Sequence, residues 1–152
     1  MVSRAPAASR ISTFLSTCHF PIATSLECGL WVIRATGSPQ HHAVRDSIRQ
    51  GALLHTTDVV IMEVLAGGRD DGHTIRLRRL MIRCTYVPTA GLDAYEKAAA
   101  LCRRCRRAGE TPRALNDCLV AAVAIRTDLS VLHADRDFDL IARHTALRLA
   151  AP

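Results

Sequence analysis

Residues 115–138 read LNDCLVAAVAIRTDLSVLHADRDF, and the order of patterns within them decides the fold. The first eleven are apolar on every side after an opening Asn116-Asp117, as expected of a helix buried all round. A polar break, Arg126-Thr127-Asp128, follows. Ser130 to His133 is then a short run bounded by polar residues, the size of a buried strand. It runs directly into Asp135-Arg136-Asp137-Phe138. Helix, strand and acid at the strand's end are the parts of a parallel sheet with crossover helices, in which ligands collect at the carboxyl edge.

Worked outward, the rest of the chain repeats that alternation. On the amino-terminal side, Leu30 to Ile33 predicts a strand. Gly37-Ser38-Pro39 starts a helix that runs to Gln50 and stops at Gly51. Ala52 to His55 predicts a strand, and Thr57 caps a helix from Asp58 to Ala66 that ends on Gly67-Gly68. A basic helix is expected from Asp70 to Leu80, and a strand from Ile82 to Val87 that Pro88 closes. A further helix is expected from Asp93 to Arg107, with Tyr95, Ala99, Cys102 and Arg106 along one line. Pro112 opens the buried helix, which runs through Ile125. After the strand at Ser130 come a short helix, Asp139 to His144, and a last extended stretch, Ala146 to Leu149. Strands and helices alternating in this way predict an α/β fold, a parallel sheet flanked by helices.

The 152 residues suit one domain with its own core. No apolar stretch approaches the roughly 20 residues that a membrane span needs, so a soluble, cytoplasmic protein is expected. Residues 1–26 differ from the rest: Ser, Thr and Ala dominate, and the first acid is Glu27. That bias has the composition of a transit peptide, but no cleavage signal follows. A start codon placed too far upstream, or a stretch out of frame, fits better. Residues 1–20 are therefore expected to lie outside the fold and 21–152 to form the domain.

Lys and Arg number 20 against 14 Asp and Glu, a net charge of +6, and nearly all the cations are arginine. Guanidinium meets phosphate oxygens two at a time, so Arg76, Arg78, Arg79, Arg103, Arg104, Arg106 and Arg107 are candidates to steer a nucleic acid. They serve equally as the solvated faces of two helices. Six cysteines in a chain of this length are no disulfide framework. The pair Cys102 and Cys105 lacks the two further ligands of a zinc site and reads as core packing in a reducing cytosol. His41-His42 falls on the solvent side of a predicted helix, and no glycine-rich phosphate loop occurs.

Three acids stand apart from the solvated faces. Glu63 sits within Val59-Val60-Ile61-Met62-Glu63-Val64-Leu65, and a carboxylate among such neighbours needs a partner or a metal. Asp117 opens the apolar helix, where a helix dipole alone would favour it. Asp135 ends the strand, where a surface turn would also account for it. Three acids on three elements of one sheet, with neither His nor Cys among them, point to a hard divalent cation.

The blocks Ala114-Leu-Asn-Asp117-Cys-Leu-Val-Ala-Ala-Val-Ala and Val131-Leu-His-Ala-Asp135-Arg-Asp-Phe138 resemble the carboxyl-terminal half of the PIN-domain toxins called VapC, and Met62-Glu63-Val-Leu-Ala-Gly67 is similar to their central acidic motif. The resemblance runs from about Arg34 to Leu149. It implies a three-layer PIN-like fold and an endoribonuclease, the toxin of a type II toxin–antitoxin pair. It also implies Mg²⁺ or Mn²⁺ as cofactor, a VapB-type antitoxin as partner, and a homodimer. It assigns catalysis and metal binding to Glu63, Asp117 and Asp135, with Asp137 as a helper. The family's first strand ends in an aspartate, and this chain has none before Asp46. Glu27, ahead of Leu30-Trp31-Val32, matches the apolar rhythm and would replace that acid as a longer ligand. Ile22-Ala23-Thr24-Ser25 matches the letters but offers alanine. The missing aspartate keeps a second function in view, a catalytically degenerate PIN domain that binds antitoxin or RNA without cleaving it. A DNA-binding regulator is disfavoured, because the helix from Leu115 to Ile125 is too apolar to be an exposed recognition helix.

Overall fold

A computed structural model describes residues 29–32, 46 and 53–150. Among them is one five-stranded sheet, all of its pairings parallel: β1 (Gly29–Val32), β2 (Leu54–Thr56), β3 (Thr85–Tyr86), β4 (Ser130–His133) and β5 (Arg148–Leu149), in the order β3-β2-β1-β4-β5. Parallel neighbours need crossovers. Helices α1 (Asp58–Ala66) and α2 (Asp71–Met81) connect β2 to β3, α3 (Leu92–Arg107) and α4 (Leu115–Thr127) connect β3 to β4, and α5 (Arg136–His144) connects β4 to β5. This is the α/β, PIN-like architecture that the sequence predicts.

β4 shows why the sheet lies between two layers. Successive side chains of a strand point to opposite faces. Val131 packs into a large cluster with Ala98, Cys102, Val120, Val123, Phe138 and Ile141, drawn from α3, α4 and α5. Its neighbour Leu132 packs with Leu54, Met81 and Cys84 on the other side. Helix α4 is buried continuously from Asp117 to Ala124, which explains the absence of a polar stripe in its sequence. It ends where Asp128 takes a left-handed conformation, φ 56°, one of the few non-glycine residues that tolerate it. The cysteines Cys102, Cys105 and Cys118 are free and buried in the same core. Burial, with the neighbouring thiols of Cys102 and Cys105, pushes the Cys118 thiol up to about 12. It is a small apolar filler, as the lone C-x-x-C suggests.

Several boundaries differ from expectation, each for a local reason. The strand expected at Ile82 to Val87 is confined to Thr85–Tyr86, because the chain keeps turning after α2: Arg83 N donates to Leu80 O and Cys84 N to Met81 O. The buried face of α3 is Ala94, Ala98, Cys102 and Cys105, with Tyr95 exposed, so the expected line through Tyr95 and Ala99 is rotated by about a residue. Helix α4 starts at Leu115 rather than Pro112, because Ala114 is extended. Helix α5 begins at Arg136, three residues ahead of the expected Asp139, because Asp135 caps it by accepting from Asp137 N at 3.1 Å. The strand at Ala52 to His55 is shifted to Leu54–Thr56. The helix expected from Gly37 to Gln50 lies outside the described residues apart from Asp46, which is helical and exposed. The amino-terminal extension, Glu27 and His41-His42 lie outside them altogether.

The turn after α3 is tied to the end of α5 by Glu110, which accepts from Arg143 Nη2 at 2.7 Å and lies against His144 Nε2. The Arg143 hydrogen bond, followed by that of His144, holds the Glu110 carboxyl below its ordinary range. A carboxyl depressed by folding contributes stability above its unfolded pKa and loses it as pH falls through the folded value. Glu110→Gln is therefore expected to lower the melting temperature near neutral pH and to approach the parent as pH falls through the depressed folded value and the parent carboxyl becomes neutral too. Thermal melts across that range check this; a gap that persists in acid would assign the effect to packing.

Candidate metal centre

Two helix starts meet beyond the carboxyl end of β4. The strand exits at His133, and Ala134-Asp135 turns the chain into α5. His133 steadies that turn, its Nδ1 lying 2.8 Å from Asp135 O and its ring 5.3 Å from that of Phe138. Asp135 is half-buried at the cap, and Asp137, in the first turn, is buried with 2% exposure. Asp117, in the first turn of α4, is 1% exposed. One carboxylate oxygen from each of Asp117, Asp135 and Asp137 lies within 4.8 Å of the others. Both helix dipoles present their positive ends here, which favours anionic side chains.

Three carboxylates so close repel one another unless cations are near. Arg113, in the extended loop before α4, supplies one. Its backbone N donates to Asp137 Oδ2 at 2.6 Å, its Nε to Asp137 Oδ1 at 2.9 Å and its Nη2 to Asp135 Oδ1 at 2.5 Å. Burial pushes the Asp137 carboxyl up, but the hydrogen bonds from the Arg113 side chain and backbone, with that from Ala114, outweigh it and leave the carboxyl below its ordinary range. Three donors on a carboxylate with about four lone-pair positions leave little room for another ligand. Asp137 thus anchors the loop that leads into α4, whereas Asp117 and Asp135 each bring a carboxylate oxygen within 4.8 Å of the other.

Glu63 does not join that triplet among the described residues. It is half-buried on α1, and its Oε1 accepts from Asn116 Nδ2 at 2.9 Å, which ties α1 to the start of α4 beside Asp117. The partner that its apolar neighbours called for includes this amide. Arg113 and Asn116 had no role in the sequence reading, although both sit in the motif around Asp117. The signal was a single arginine and a single amide flanking an acid cluster, and only the fold shows which acids they meet. The candidate nucleic-acid arginines of α2 and α3 are all exposed. No helix among the described residues is long and apolar enough to cross a membrane.

The PIN domain family matches residues 30–144, which contain the whole acid cluster. The chain is 39% identical over 132 residues to VapC ribonuclease Mb1587 of Mycobacterium bovis, an alignment covering 83% of this chain and 96% of the relative. The same identity and coverage hold for Ribonuclease VapC11 of Mycobacterium tuberculosis. The chain belongs to the PIN-domain family and, within it, to the VapC proteins.

Asp137→Asn is expected to destabilise the fold by roughly 2–3 kcal/mol, because an amide hydrogen would then face an N–H donor in a buried site. Urea denaturation of parent and variant in EDTA checks this. Equal stability would mean that Asp137 does not anchor the loop.

Proposed function

We propose that this chain is a divalent-metal-dependent endoribonuclease, the toxin of a VapBC-type pair. The observation that carries the reading is the gathering of Asp117, Asp135 and Asp137 within 4.8 Å at two converging helix starts. The names of the two relatives, both ribonucleases, support it. The donor set suits Mg²⁺ or Mn²⁺, since all its atoms are hard carboxylate oxygens and the adjacent Cys118 thiol stays protonated inside the core. Asp117 and Asp135 would hold the ion, with Glu63 beside them, Asp137 as a helper of lesser share, and Glu27, which precedes β1 in the sequence, as a further ligand. When bound, such an ion acidifies a water and neutralises charge that develops on the phosphate.

The remaining work falls to the chain. Glu63, whose Oε1 accepts from Asn116 Nδ2, would take a proton from the attacking water. The exposed arginines of α2 and α3 draw the RNA backbone toward an acidic pocket that would otherwise repel it. A VapB-type antitoxin would inhibit by setting an arginine against the same carboxylates, and the resemblance adds a homodimer. A second reading, a PIN domain that binds RNA or antitoxin without cleaving, is favoured by the absence of any aspartate before Asp46.

Asp117→Asn keeps volume and removes ligand charge. It is expected to abolish Mg²⁺-stimulated cleavage of RNA with an unchanged circular dichroism spectrum. Cleavage at the parental rate would remove Asp117 from the site. A parent that binds RNA but cleaves nothing with Mg²⁺ or Mn²⁺ would establish the binding module, and recovery of cleavage by Glu27→Asp would locate the defect in the first strand.

A further inference from the structure

The geometry points to Arg113 as a built-in counter-cation of the metal centre, which holds Asp135 through Nη2 and competes with the divalent ion for it. The inference rests on the metal-site reading above and goes beyond it by assigning a role to a residue outside the acidic set. Arg113 is fixed at two points that have nothing to do with the ion: its own backbone N and its Nε both bind Asp137, a buried carboxylate. Anchored there, the guanidinium extends its Nη2 to Asp135 Oδ1 at 2.5 Å. The same oxygen accepts from Asp137 N at 3.1 Å. An ion drawn to Asp135 therefore meets an oxygen that already has two donors and a positive charge beside it.

The two cations compete on unequal terms. Arg113 is covalently present at every moment, but its side chain is 56% exposed, so water and salt weaken its hold on Asp135. A divalent ion carries twice the charge but has to arrive from solution. The site would thus fill only above a threshold of free metal that Arg113 raises. When the ion takes Asp135, the Nη2 prong is released at the mouth of the pocket while Nε keeps the Asp137 anchor, leaving a guanidinium edge where a phosphate oxygen would approach. Arg113 is a positioning residue for the ion, and only after that a contact for RNA.

The test is Mn²⁺ binding to the full chain without RNA, read by electron paramagnetic resonance or calorimetry at low salt, for the parent, Arg113→Gln and Asp117→Asn. A unit charge within a few ångströms typically changes the occupancy of an ionisable site about tenfold or more. Arg113→Gln is accordingly expected to bind Mn²⁺ about tenfold more tightly than the parent, by a margin that shrinks as salt is added. It is expected at the same time to cleave RNA more slowly at saturating metal. A merely structural arginine would loosen metal binding when removed, so unchanged or weaker binding in a folded Arg113→Gln overturns the proposal. The metal site itself is judged separately: a parent that binds Mn²⁺ no better than Asp117→Asn ends that reading, and this one with it. If the glutamine variant does not fold, the parent carries the test by NMR of its arginine side chains. Mg²⁺ titration should then speed the exchange of the guanidinium protons of Arg113, identified by the signal lost in Arg113→Lys. Exchange that ignores Mg²⁺ at concentrations that fill the site overturns the proposal.

Discussion

The grip of Asp137 on the loop before α4 is the contact on which the site depends. Its carboxylate is buried at the start of α5, yet its donors come from Arg113 and Ala114, more than twenty residues earlier in the chain. Because two of those donors are backbone N–H groups, the loop is held extended at Ala114, and α4 cannot begin until Leu115. The start of one helix is thereby fixed against the start of another. Asp117 and Asp135 sit at the starts of these two different helices, with carboxylate oxygens within 4.8 Å of each other, so this contact brings them together.

Placing acids at that point would be costly without the core behind it. Helix α4 is wrapped on all sides from Asp117 to Ala124, by α3 and α5 and by β4, so its first turn cannot tilt away to relieve carboxylate repulsion. Phe138 and Ile141 are fully buried and lock α5 in the same cluster. Truncating buried groups of that size typically costs about 3–5 kcal/mol, so the core holds α4 and α5 in place against the mutual repulsion of two buried aspartates and a half-buried third. The rigidity of the core and the strain of the site are thus two sides of one arrangement, with Arg113 reducing what the core has to resist.

Much of this was legible in the sequence, and what was not has a physical cause. β4 at Ser130–His133 and α1 at Asp58–Ala66 appear where apolar runs place them, because both are local patterns that packing reinforces, although Thr57 at the N-cap of α1 makes no side-chain cap hydrogen bond. The parallel, helix-flanked sheet follows from their alternation. Of the boundaries that moved, the start of α4 was decided by bonds between residues far apart in the chain, the start of α5 by the cap Asp135 makes with Asp137, and that of β3 by a turn that simply continued. Pro112 is a good first helical residue in isolation, but Asp137 holds its neighbours extended. The rotation of the buried face of α3 arose because Tyr95 and Ala99 look as apolar on paper as Ala94 and Ala98; only the closeness of α4 selects the smaller pair. In the site, Asp117 and Asp135 were legible as acids at element ends and Asp137 as a helper implied by the resemblance, and the structure brings all three within 4.8 Å. Glu63 was legible as an acid needing a partner, but not that Asn116 is one. The place of Glu27 relative to these acids lies outside the described residues.

Arg113 illustrates why charge is hard to read along a chain. Twenty cations against fourteen acids suggest a surface that attracts phosphate, and among so many arginines one more before an acidic motif carries no signal. In the fold its neighbours set it apart. The arginines of α2 and α3 stand in solvent, where water screens them and each contributes a diffuse field. Arg113 instead spends its backbone N–H, its Nε and its Nη2 on two aspartates of one cluster. The two kinds of cation differ in reach: the diffuse kind spreads a positive field over the surface, and the fixed kind sets one charge against two aspartates of one cluster.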